Sequence, residues 1–170
     1  MANKANFTAE EWGRLLSSPM IVGMAITAAD PSGIWGLLKE SMAGGWALIE
    51  ARQSSQANPL VMAVAEDFAT AEGRAVARTA MQERFTGAQL GDVKDQALGE
   101  LRFVAGIVED KAPEDAAGFK AWLQDIAQKA AEAGTEGGFL GFGGVAVSAS
   151  EKATLAEISS AMNRTGSASA

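Results

Sequence analysis

The chain has no cysteine, no histidine and no tyrosine, and only four prolines among its 170 residues. Without thiolate or imidazole it lacks the usual ligand sets for zinc, haem and iron–sulfur clusters, the Ser-His-Asp triad and the Glu-x-x-His pairs of di-iron bundles. Disulfides are excluded outright. Hard cations such as Mg²⁺ and Ca²⁺ stay open, because they take oxygen ligands. Basic residues are also scarce, with 14 Lys and Arg against 21 Asp and Glu and a net charge of −7. They form no block or stripe, so the electrostatic footprint of a nucleic-acid or anionic-membrane binder is missing. Long apolar runs are absent too. The uncharged stretch from Leu15 to Ala29 falls short of the ~20 residues that span a bilayer, and Ser17, Ser18 and Pro19 interrupt it. The opening MANKANFTAEEWGRLL has an early acidic pair and no long apolar run, so a cytoplasmic protein without a signal peptide is expected.

What the chain does have is helical periodicity. Hydrophobic residues make up 48% of it, and a domain of this length buries roughly two-thirds of the surface its unfolded chain exposes. Thr8 with Glu11 forms a capping-box pair that opens a helix over about 8–17. Ser18-Pro19 closes it and caps the next, about 19–29, whose sequence PMIVGMAITAA is apolar on every side and predicts a place in the middle of a bundle. Ile34, Leu37, Leu38, Met42, Trp46 and Ile49 recur at helical spacing to about residue 52.

Asn58-Pro59 opens a long helix over about 59–85, which breaks at Thr86-Gly87. Leu90, Val93, Ala97, Leu101, Val104 and Val108 carry another to about 110, and Pro113 opens one that ends at Gly134. A second capping box, Ser148 with Glu151, starts the last. The expected fold is all-α, a compact bundle of six or seven helices over residues 1–163, with 164–170 as a frayed tail. Single glycines inside these patterns, among them Gly13, Gly73, Gly99 and Gly106, suggest close helix–helix approach.

The segment EGGFLGFGGVAVSASEK packs five glycines, two phenylalanines and a leucine into Gly137 to Gly144. A phosphate loop of the Walker form needs Gly-Lys-Ser/Thr, which never occurs here, and the dinucleotide form needs a preceding strand. Phe139, Leu140 and Phe142 point instead to a connector docked on the bundle. No G-x-S-x-G or S-x-x-K signature is present. The acidic groups Glu66-Asp67 with Glu72, Glu109-Asp110 with Glu114-Asp115, and Asp92 with Asp95 read as solvated faces or as first-turn acids that complement the helix dipole. Trp12, Trp35, Trp46 and Trp122 read as packing residues.

The segments TAADPSGIWGLLKE, KAPEDAAGFKAWL and EGGFLGFGGVAVSASEKATLAEI together resemble a family of uncharacterised bacterial all-helical proteins of similar length. The likeness runs over most of the chain and implies no particular reaction. More loosely, Ala29-Asp30-Pro31-Ser32-Gly33 and Val147-Ser148-Ala149-Ser150-Glu151 resemble the Ala-Asp-Gly helix end and Val-Ser-x-x-Glu helix start of the tellurite-resistance TerB-like domains. Pro31 and Ser32 are an insertion in that pattern. This likeness implies a carboxylate metal site at Asp30 and Glu151.

Two functions are therefore open. One is a non-enzymatic module that binds a protein partner or its own copies, with no cofactor. The other is a carboxylate site for Mg²⁺, Ca²⁺ or a small ligand. Under either, tag-free protein after dialysis is expected to hold no stoichiometric zinc, iron or copper by elemental analysis, because neither imidazole nor thiolate is available. One such ion per chain would contradict this.

Overall fold

The computed structural model describes residues 2–29, 58–89, 91–133 and 147–163. After a short 3₁₀ turn at Lys4–Asn6, the described residues form six α-helices: α1 (Ala9–Ala29), α2 (Pro59–Phe68), α3 (Ala71–Phe85), α4 (Val93–Lys111), α5 (Pro113–Ala133) and α6 (Ala149–Asn163). The fold is all-α, and no strand occurs among the described residues. The expected helix over about 34–52 and the glycine connector lie outside them.

The helix starts follow from local side-chain chemistry. Thr8 Oγ1 accepts from the Glu11 amide at 3.2 Å and Glu11 Oε2 accepts from the Thr8 amide at 2.7 Å, which completes the capping box. Ser148 and Glu151 repeat it at 3.2 and 2.8 Å. Asn58 Oδ1 accepts from the Leu60 and Val61 amides, and its Nδ2 donates to the Asp115 carbonyl. One asparagine thus starts α2 and ties it to the first turn of α5.

Two expected boundaries are corrected. The helices expected at 8–17 and 19–29 are a single helix, α1, with Pro19 inside it. Proline in a helix interior removes one hydrogen bond and costs about 3 kcal/mol. The carbonyl that loses its donor is that of Leu15, four residues earlier, and Ser18 Oγ donates to it at 2.7 Å. Ser17 Oγ donates to the Arg14 carbonyl at 3.1 Å. Both serines are fully buried with their hydroxyls occupied.

The helix expected over 59–85 is instead split at Ala69-Thr70. Thr70 Oγ1 accepts from the Gly73 amide at 2.9 Å and donates to the Asp67 carbonyl at 2.7 Å, so it stops α2 and starts α3. The corner is tight. A Cβ added at Gly73 would lie 2.0 Å from the Asp67 carbonyl oxygen. The Thr86-Gly87 break is present, with Gly87 at φ +79°.

α1 packs against all five other helices, most extensively α4 and then α3. Trp12, Leu15, Leu16, Ile21, Val22, Ala25 and Ile26 put it at the centre of the core, with Leu101, Val104 and Val108 from α4 and Phe119 and Leu123 from α5. Of the glycines expected to mark close approach, Gly13 does so, with Ala80 Cβ 3.4 Å from where its own Cβ would be. Gly99 and Gly106 face open space.

Val22 is fully buried and Ile26 is 3% exposed, so an aspartate at either site would bury an unpaired carboxylate. Val22→Asp and Ile26→Asp are each expected to lose more than about 4 kcal/mol of stability in urea melts. Midpoints close to the parent's would displace α1 from the centre of the bundle.

Candidate binding cleft

Four of the carboxylates picked out in the sequence, Asp67, Glu109, Asp115 and Glu151, are committed to structure. Asp67 Oδ2 accepts from Trp12 Nε1 at 2.6 Å and from Lys4 Nζ at 3.1 Å. Buried Asp115 accepts from the Ala2 amide at 2.9 Å, and Glu109 pairs with Lys120. Glu151 is buried and serves the Ser148 capping box, while Asp30 lies outside the described residues. Among the described residues, no three acidic side chains gather into a possible metal site. Trp12 is buried, and Trp122 packs on Phe119 with ring centroids 5.6 Å apart. Trp35, Trp46, Phe139, Leu140 and Phe142 lie outside the described residues.

Sequence reasoning missed a four-residue ion lattice that clamps α1, α3 and α4 together. Arg14 pairs with Glu100 and, at 3.2 Å, with Glu10, while Arg84 Nη2 reaches Glu10 at 3.2 Å. Arg84 Nε is 2.8 Å from Glu100 Oε1, but its N–H points out of line and makes no hydrogen bond. Two cations and two anions cancel, so the lattice leaves no net charge for a ligand. Glu10 and Arg14 are a local i, i+4 pair on α1, but Arg84 and Glu100 come from two other segments, and no local pattern announces that they join it.

A cleft of about 390 Å³ opens between the second half of α1 and the end of α3, lined by Met20, Met24, Arg78, Met81, Gln82, Phe85 and Thr86. Met20 and Met24 are one turn apart on α1. On α3, Arg78, Met81, Gln82 and Phe85 follow the i, i+3, i+4, i+7 spacing of a single face. The four apolar residues are all partly buried, with Met20 and Phe85 packed against the core. The signal was present in PMIVGMAITAA, where an all-apolar helix carries methionines four apart, but those residues read as central core.

Compared with family models, curated proteins and solved structures, the chain matches none.

Two carboxyls, Glu11 and Asp67, are held below their ordinary values by hydrogen bonds. The Lys111 hydrogen bond, followed by that from the Thr8 amide, holds Glu11 below the usual carboxylate range. For Asp67, burial pushes upward, but the Trp12 and Lys4 hydrogen bonds outweigh it and the net shift is downward. A carboxyl depressed on folding stabilises the protein above its unfolded value, and that contribution is lost as pH falls through the folded one. Asp67→Asn is therefore expected to cost roughly 1.5–3 kcal/mol at pH 7 and to flatten the loss of stability below about pH 4. Urea melts from pH 7 to pH 3 check this. An acid limb as steep as the parent's would remove Asp67 from the account.

Proposed function

We propose that the chain is a non-enzymatic helical module that acts by binding a protein partner or its own copies, with the cleft between α1 and α3 as the contact surface. The observation that supports this is the cleft itself, where three methionines and a phenylalanine remain partly open between two helices. Methionine has an unbranched, polarisable side chain that repacks around varied apolar groups, which suits a surface that receives other side chains. The described lining holds one cation, one amide and one hydroxyl, and no carboxylate to form an acid–base pair with them. Helical grooves of this kind take the apolar face of another segment, with polar groups at the rim fixing its orientation.

A photo-reactive amino acid at Gln82, on the exposed rim of the cleft, tests this in the cells that express the protein. Irradiation is expected to give a discrete adduct with another polypeptide, either a second copy or a different protein. The same group at exposed Lys152 on α6 is expected to give none. No adduct at position 82, or equal labelling from both positions, would remove the proposal.

A further inference from the structure

We infer that residues 2–7 form a strap that opens from the bundle as a unit while the bundle stays folded, baring Trp12. The segment makes its own local structure. Asn3 Oδ1 accepts from the Ala5 amide and Asn6 Oδ1 from the Asn3 amide, both at 2.9 Å, while the Asn6 and Phe7 amides donate to the Asn3 and Lys4 carbonyls. These bonds close within the segment and need nothing from the helices. Residues 3–6 are all exposed. The helix that follows does not need the strap either. Its capping box uses only the Thr8 amide and hydroxyl with Glu11, and Lys111 holds Glu11 from α4, so α1 keeps its start when the residues before Thr8 swing away. Phe7 is extended, at φ −121° and ψ 152°, and forms the joint between the two.

Little fastens the strap to the helices. The Ala2 amide donates to Oδ2 of buried Asp115 on α5 at 2.9 Å, and Lys4 Nζ donates to Asp67 Oδ2 on α2 at 3.1 Å. The second tie is an ion pair whose lysine is exposed, and such pairs are weak in water. The apolar anchors are partly buried Ala2 and buried Phe7, whose ring lies against Trp12 with centroids 5.7 Å apart. A segment held by one buried ring and a few edge hydrogen bonds opens at a lower free energy than helices packed through a shared core. The Trp12 indole N–H donates to the same Asp67 oxygen that takes Lys4. Opening therefore lifts Phe7 from the indole and Lys4 from the indole's hydrogen-bond partner. The bundle then has two states, one with Trp12 covered and one with it bare.

Hydrogen exchange of the full chain, followed by NMR at pH 7 in rising low urea, tests this. The Trp12 indole N–H reports the strap, and the backbone amides of Leu101 and Val104, fully buried in α4, report the whole bundle. The indole is expected to be protected at least tenfold less than those amides and to respond little to urea, whereas the amides show the steep urea dependence of global unfolding. Lys4→Glu reverses the charge of the exposed tie and is expected to speed indole exchange about threefold. Phe7→Ala combined with Lys4→Glu is expected to strip the indole of its protection while the Leu101 and Val104 amides stay slow and the helical circular dichroism still melts cooperatively. Indole exchange with the same protection and urea dependence as the α4 amides would make residues 2–7 part of the cooperative core and overturn the strap. So would a double variant that fails to fold, or one whose indole stays as protected as the parent's.

Discussion

The bundle is organised around its central helix, and one side-chain hydrogen bond supports that helix where its ladder is interrupted. Pro19 deprives the Leu15 carbonyl of its helical partner at a place where water has no access, and an orphaned carbonyl there would cost on the order of 1–3 kcal/mol. The Ser18 hydroxyl takes that carbonyl at 2.7 Å. With the bond in place, α1 runs unbroken for 21 residues and offers one long surface to five other helices.

The same residues show what the sequence could and could not convey. Ser-Pro is a strong local signal for a helix start, and it misled here because the Ser18 hydroxyl takes the carbonyl that Pro19 leaves without a donor and the helix continues. Local signals held where they needed no distant partner, as at Thr8 with Glu11, Ser148 with Glu151, and Asn58-Pro59. The all-α class and the central place of PMIVGMAITAA were legible from periodicity and from the lack of any polar face. The break at Thr70 was not, because the apolar stripe runs through it and only the approach of Gly73 to the Asp67 carbonyl reveals the corner. The cleft was illegible for a different reason. Its walls lie more than 50 residues apart in the chain, and Met20 and Met24 look the same in sequence whether they face the core or a groove.

The acidic pairs were legible as types but not as roles. Neighbours in a helix point about 100° apart, so Glu66 faces solvent while Asp67 turns inward to Trp12. Adjacency in sequence therefore said little about whether two carboxylates could share an ion. Outside the ion lattice, several carboxylates each join segments far apart in sequence: Asp67 to Lys4 and Trp12, Glu11 to Lys111, Asp115 to Ala2, Glu157 to Lys94.

The central position of α1 also shapes how the protein is made. It is the first of the described helices to leave the ribosome, yet its partners arrive later, and α6, which also packs on it, lies about 120 residues downstream. At typical synthesis rates of about 5–20 residues per second, its apolar sides wait several seconds for cover. During that interval PMIVGMAITAA is an uncovered apolar segment, and Pro19 at its start makes it a weaker template for premature β-association.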